Sequence, residues 1–186
     1  MDCNIICNKE NILLKKNNIN KNFILELNVS NNNLNLKNII SFKIYDLMAE
    51  LNKDVIEKIE IFDTNTKNKK DILIIFKHIC KEMGISKKYM FLETEIIEKN
   101  SNFNIIGISK DYNYKLEKCE QLKPTISFLD INVENLHKIN LKYEFNIIFD
   151  EDMPIYMENM FALLMKKIFL NLKVFIENLL NISNDE

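Results

Sequence analysis

From Ile139 to Phe149 the chain alternates. Ile139, Leu141, Tyr143, Phe145, Ile147 and Phe149 share one side of a two-residue repeat, the period of a half-buried strand. Beyond Pro154 the period becomes that of a helix. Met157, Phe161, Leu164, Met165, Ile168, Leu172, Phe175 and Leu179 form its main apolar stripe. Met160, Leu163, Phe169 and Ile176 widen that stripe well past a narrow seam. Asp152 is the expected N-cap, and Pro154 falls in the first turn, where a missing N–H costs little. As a helix, residues 154–180 would span about 40 Å. As a strand, residues 138–149 would span about 40 Å as well. One helix can therefore run the length of one strand.

Upstream the same reasoning places further elements. "FILELNV" (23–29) alternates as a strand does. Over 35–52, Ile40, Ile44, Leu47, Met48 and Leu51 recur at helical spacing. "DVIEKIEIFD" returns to alternation, "TNTKNKK" is a polar turn, and "DILIIFKHI" is a β-branched strand. Two hairpins follow, one around "EKNSN" and one around "ENLH". From residue 54 the order is thus six strands in succession and one terminal helix. The connections are too short for parallel crossovers, so the strands are expected to pair antiparallel. The first twenty residues are expected to be irregular, with at most a short strand at "NILLKK".

Composition narrows the function classes. The chain has 186 residues, 47% hydrophobic and 28% charged, which suits a single globular domain over residues 21–182. Two Gly and two Pro leave little room for a linker. A net charge of −2 gives no electrostatic basis for nucleic-acid binding. Every cation is Lys, which disfavours buried bidentate recognition of phosphate or carboxylate. The Asn- and Lys-rich runs "NNINKN" and "SNNNLNLKN" read as polar surface loops. Cys3, Cys7, Cys80 and Cys119 have no zinc-site spacing. The amino-terminal residues carry no basic and apolar leader pattern, so four reduced cytoplasmic thiols are expected. No run of 18 uncharged apolar residues occurs; Lys166, Lys167 and Lys173 interrupt even the last helix.

Catalytic chemistry is sparse. His78 sits in a β-branched strand and His137 in a hairpin turn, neither beside a nucleophile. Asp150, Glu151 and Asp152 suit helix capping better than a metal site. Glu93 and Glu95 share one strand face, which suits a solvated surface. There is no Gly-rich phosphate loop. No enzyme, metal or cofactor is expected.

The order of strand, helical segment, six-strand meander and long terminal helix resembles the helix-grip fold of the START and Bet v 1-like superfamily. "DVIEKIEIFDTNTKNKKDILIIFKHI", "GISKKYMFLETEII" and "INLKYEFNIIFDEDMPIYMENMFALLMKKIFLNLKVFI" carry the resemblance, which covers about residues 20–180. A shorter match, residues 40–79, resembles the ferredoxin-like anticodon-binding module of phenylalanyl-tRNA synthetases, but two hairpins follow it and the basic face is missing.

The START resemblance implies an α+β fold: a curved antiparallel sheet of about seven strands wrapped around the C-terminal helix. It implies a hydrophobic cavity between sheet and helix that binds one lipid or other hydrophobic molecule, with transient contact to a membrane surface. Tyr45, Leu141, Tyr143, Phe145, Ile147, Met157, Phe161, Leu164, Met165 and Ile168 are the candidate cavity residues, with Tyr45 and Tyr143 as polar handles. The terminal helix is expected to act as the gate, against the loops at 64–70 and 111–123. A filled interior is the alternative, and the wide apolar face of the helix would then dock a protein partner.

Overall fold

A computed structural model describes residues 3–78, 86–113, 116–146 and 155–180. Its sheet contains ten strands: β1 (Cys3–Lys9), β2 (Ile12–Asn17), β3 (Phe23–Ser30), β4 (Ile56–Asp63), β5 (Lys69–Phe76), β6 (Lys87–Lys99), β7 (Asn102–Ser109), β8 (Cys119–Gln121), β9 (Ser127–Asn135) and β10 (Lys138–Phe145). Their spatial order is β1-β2-β3-β10-β9-β7-β6-β5-β4, all antiparallel. The short β8 lies off this path and pairs parallel with the start of β6. Two helices complete the fold. A 3₁₀ turn (Leu36–Ile39) leads into α1 (Lys43–Leu51), and α2 (Ile155–Asn178) closes the chain.

The six expected strands after residue 54 are present, but the sheet has ten strands rather than about seven. Two strands come from the first twenty residues, expected to be irregular with at most a short strand at "NILLKK": β2 falls on that stretch, and β1 was not expected. The turn between β1 and β2 explains why. Glu10 and Asn11 both adopt positive φ, 60° and 57°, as a tight two-residue hairpin turn requires. Neither is glycine, so the usual sequence sign of such a turn is missing. Once made, the turn lets Ile12 and Leu14 bury fully while β2 pairs with β3. β8 is only three residues long, below what periodicity can register.

The apolar run in β5 is buried on both faces. Ile72, Ile74 and Phe76 belong to the main interior. Leu73 and Ile75 join Tyr89 and Phe91 on the opposite face, where Tyr112, Leu116 and Cys119 pack over them. β6 spans 13 residues: residues 89–95 pair with β5, and residues 92–99 pair with β7. Residues 147–154, which include Ile147, Phe149, the acidic run and Pro154, lie outside the described residues.

The α2 helix runs for 24 residues, about 36 Å. Its apolar positions Phe161, Ile168, Phe169, Leu172 and Ile176 are buried. Polar ties hold it along one side of the sheet. Lys16 Nζ donates to Glu158 at 2.6 Å, and the buried Lys166 donates to Glu10 at 2.7 Å. At the other end Asn31 Nδ2 donates to the carbonyls of Ile176 at 2.6 Å and Leu179 at 2.8 Å. These acceptors belong to the last turn, where a helix has no partners of its own. The α1 helix is joined to α2 through Asn52, which donates to the Met48 carbonyl and accepts from Asn171 Nδ2, at 2.9 and 2.8 Å.

Asn31→Ala should lower stability by about 1–2 kcal/mol, because the Ile176 and Leu179 carbonyls both lose its side-chain donor, although Ile176 keeps a longer bond from the Leu179 N–H. Urea unfolding of wild type and variant measures this. A change below about 0.5 kcal/mol would show that Asn31 does not hold the helix end.

Candidate functional site

The interior between sheet and helices is incompletely filled. A cavity of about 90 Å³ lies under the inner sheet face. The strands β3, β4, β5, β6, β7, β9 and β10 all contribute wall residues, as do the 36–51 segment and α2. The lining is almost wholly apolar, because each strand sends alternate side chains inward. Leu27 and Val29 come from β3, Met90 and Leu92 from β6, Leu129 and Ile131 from β9.

Five of the ten expected residues line this space: Tyr45, Leu141, Tyr143, Met165 and Ile168. Phe145 and Phe161 border a smaller adjoining void, shared with Met165, Tyr143 and Leu122. Their rings are already engaged. Phe145 stacks on Phe23 with centroids 5.5 Å apart, and Phe161 meets Phe76 edge-on at 5.2 Å. Met157 is buried away from both voids, and Leu164 packs half-buried against the cluster around Val55, Ile56 and Phe76. Ile147 lies outside the described residues.

The periodicity alone did not single out the wall made by residues 39–48. Ile39, Ile40, Ser41, Ile44, Tyr45 and Met48 all line the space, yet no residue of α1 is fully buried. A helix with an apolar stripe but no buried residue is one that borders a hollow. Of the loops expected to gate the cavity, the described residues of 64–70 and 111–123 contribute nothing to the main space; Leu122 reaches only the smaller one.

Polar groups converge at one place on the wall. Ser127 Oγ and Tyr143 Oη lie 3.1 Å apart, either able to donate to the other. The Tyr45 hydroxyl is close enough to Tyr143 to feel its charge if it ionised. Both tyrosines keep some accessible surface, but it faces the cavity, and burial pushes both pKa values up from the ordinary 10.0. Thr94 has no accessible surface, and its Oγ1 makes no hydrogen bond of ordinary geometry. Tyr45 approaches Thr94 closely enough to be influenced by it, but an approach outside hydrogen-bond geometry leaves the Thr94 oxygen unsatisfied.

Gly107 makes this cluster possible. It sits opposite Thr94 in the β6–β7 register. A Cβ there would meet Ser127 Oγ at 3.0 Å, Ser127 Cβ at 3.2 Å and Leu92 Cδ1 at 3.3 Å. Thr94, Gly107 and Ser127 were not among the expected site residues. Their sign in the sequence is a small or polar residue at an inward position of an otherwise apolar strand face.

Among the described residues, the only ionic side chain on the lining is Lys173. Its ammonium is engaged elsewhere, donating to the Asn28 carbonyl at 2.7 Å and Glu177 Oε1 at 2.6 Å. His137 bonds the Leu34 carbonyl at 2.9 Å on the surface. Glu93 and Glu95 face Lys69 and are partly solvated. Among the described residues no group of three or more His, Cys, Asp or Glu side chains is placed to hold a metal ion, and no helix is long and apolar enough to cross a membrane.

Comparison with solved structures identifies the architecture. The fold is similar to that of the human StarD13 (DLC2) lipid transfer and protein localization domain, with a TM-score of 0.76 and 9% identity, covering 96% of this chain and 90% of that one. Human StAR-related lipid transfer protein 5 matches with a TM-score of 0.73 and 11% identity, covering 94% and 86%. The STAR-related lipid transfer protein from Xanthomonas axonopodis matches at 0.70 and 9%, covering 94% and 98%. No protein-family model matches the chain, and no curated protein matches it in sequence. At such identities the likeness is one of fold: the chain has the START-like helix-grip fold.

The raised tyrosine pKa values have a consequence at alkaline pH. The native state keeps these phenolic protons longer than the unfolded chain does. The associated stability is complete below about pH 10 and is lost as pH rises through the raised values. In an absorbance titration, at least two of the six tyrosines should remain protonated in folded protein after the exposed ones have ionised. All six ionising together without unfolding would contradict the burial of Tyr45 and Tyr143.

Proposed function

We propose that the protein binds one lipid or other hydrophobic molecule in the space between the sheet, the 36–51 segment and α2. The observation that carries this reading is an apolar-walled hollow at the centre of a fold whose similar solved structures are named as lipid transfer proteins. The work of binding is desolvation. Each methylene moved from water to such a wall contributes about 0.8 kcal/mol. Met48, Met90 and Met165 on the lining adapt to an irregular apolar surface. No bond is made or broken, and the reading is of a non-enzymatic binding protein.

Entry requires part of the wall to move. The segment from Ile39 to Met48 is the best-suited part, because it lines the hollow while burying none of the α1 side chains completely. In this reading the gate is α1 rather than α2, which is tied to β2 and to Asn31 beyond the end of β3. Opening at a membrane surface would let a molecule leave the bilayer for the hollow, which makes the protein a carrier between membranes. We place it in the cytoplasm, where the free Cys3, Cys7 and Cys119 would stay reduced.

The alternative, a protein-docking module with a filled core, draws on the wide apolar face of the last helix. That face is largely used within the chain. Phe169 and Ile176 are buried, and the large apolar side chains exposed along α2 are Tyr156, Leu163 and Val174. They lie seven and eleven residues apart, on one side of α2, and are the stripe a partner would meet in that reading.

Native mass spectrometry of the purified protein, with organic extraction of what co-purifies, tests the lipid reading. A single bound lipid class is expected. Leu141→Trp or Met165→Trp, which fill the hollow, should reduce occupancy at least tenfold without lowering the melting temperature. A protein that arrives empty and takes up no lipid from vesicles would overturn the assignment.

A further inference from the structure

We propose that the outward face of α2 pairs with the same face of a second copy of this chain, the two helices running antiparallel. The helix is apolar on more than the side that meets the sheet. Its inward positions Phe161, Ile168, Phe169, Leu172 and Ile176 are buried. On the opposite side stand Tyr156, Met160, Leu163, Lys167, Leu170 and Val174, spaced alternately by four and three residues. A mean repeat of 3.5 residues is the period of a coiled-coil seam, narrower than the stripe by which a helix covers a sheet. Tyr156, Leu163 and Val174 are 55%, 41% and 47% exposed, so apolar side chains face water from one end of the seam to the other. Met160 and Leu170 between them are half-buried, Leu170 resting on the main core.

The seam complements itself when one copy is turned end for end. Antiparallel pairing about its midpoint sets Tyr156 against Val174 of the other copy, Met160 against Leu170, and Leu163 against Lys167. A large ring meets a small side chain, and every contact occurs twice, as an isologous interface requires. Lys167 decides the direction. Parallel pairing in register would set the two Lys167 ammoniums against each other, which is unfavourable. Antiparallel pairing lays the aliphatic stem of Lys167 on Leu163 of the other copy. Its ammonium meanwhile keeps the ion pair it already makes with Asp54 of its own chain. A single lysine in an otherwise apolar seam fixes register and partner number at some cost in stability. The lysines that flank the seam do not oppose a second copy: Lys166 is turned to Glu10, and Lys173 to Glu177 and the Asn28 carbonyl. Met165 and Ile168 line the interior cavity from the other side of the helix, so the pairing stands whether or not that cavity holds a lipid.

The seam is about 27 Å long at 1.5 Å per residue, a small interface that suits a reversible dimer of micromolar affinity. Sedimentation velocity of the full chain, from about 1 μM to about 100 μM, tests this. Dimer should appear within that range. Leu163→Lys brings a second ammonium against Lys167 of the other copy and should weaken association by about tenfold or more. The circular dichroism spectrum should not change, because the side chain faces outward. Leu163→Glu should weaken association less than Leu163→Lys, since its carboxylate meets that same lysine. Val174→Lys, at the exposed position facing Tyr156 of the other copy, should act as Leu163→Lys does and replaces it if that variant does not fold.

A chain that stays monomeric at about 100 μM would overturn the proposal. A dimer untouched by both Leu163→Lys and Val174→Lys would place the contact elsewhere and do the same. Equal loss from Leu163→Lys and Leu163→Glu would overturn the antiparallel register. A monomer that sediments with phosphatidylcholine vesicles, and no longer does so as Leu163→Lys, would give the face to a membrane instead of a second copy.

Discussion

A curved sheet of this size presents more inward apolar surface than one helix can cover, and the rest of the structure answers that constraint. The backbone of α2 approaches β2, β3 and α1, while α1 approaches β4. Between these two lines of contact the inner faces of β6, β7 and β9 are left facing a hollow, bordered by Met90, Leu92, Ile105, Leu129 and Ile131. Two helices close the ends of the concavity and leave its middle unfilled. Empty apolar space is unfavourable, because the side chains around it lose contact partners. The hydrophobic ligand proposed above would restore those contacts.

The polar ties are placed where they keep this arrangement from collapsing. Asn31 holds the end of α2, Lys16 and Lys166 fix its earlier turns to the β1–β2 hairpin region, and Asn52 joins α1 to α2. With α2 so anchored, it cannot simply slide into the hollow. The ion pairs that include exposed carboxylates add little individual stability; their contribution is to position. Lys166 differs in being buried against α2's inner neighbours, so removing Glu10 would leave a buried charge without its partner. The wall formed by residues 39–48, tied through the Met48 carbonyl to Asn52, is the part proposed to open.

Much of this was legible in the sequence. The alternation in β3, β4 and β10 and the 3.6-residue stripe of α2 were clear because each buries one face, and burial selects for periodicity; β5, buried on both faces, was read from its β-branched run instead. The order of those elements carried the resemblance to the START-like fold. The β1–β2 hairpin was not legible, because Glu10 and Asn11 supply positive φ without glycine. Nor was the division of labour within the candidate site. Leu141 and Met165 line the hollow while Met157 and Leu164 pack beside it, although all four obey the same patterns. Periodicity reports which way a side chain faces; whether another side chain meets it depends on the curvature of the sheet. Thr94, Gly107 and Ser127 were not singled out, because only strand pairing brings them together.

The central claim is that the middle of the concave sheet is covered by a ligand rather than by protein. A crystal structure of the protein as purified, taken without delipidation, tests this most directly. The account predicts continuous electron density that is not protein, running from the hydroxyls of Tyr45 and Tyr143 along the apolar wall beneath α1. Side chains of α1 and α2 meeting those of β6, β7 and β9 directly, with no space between them, would contradict it.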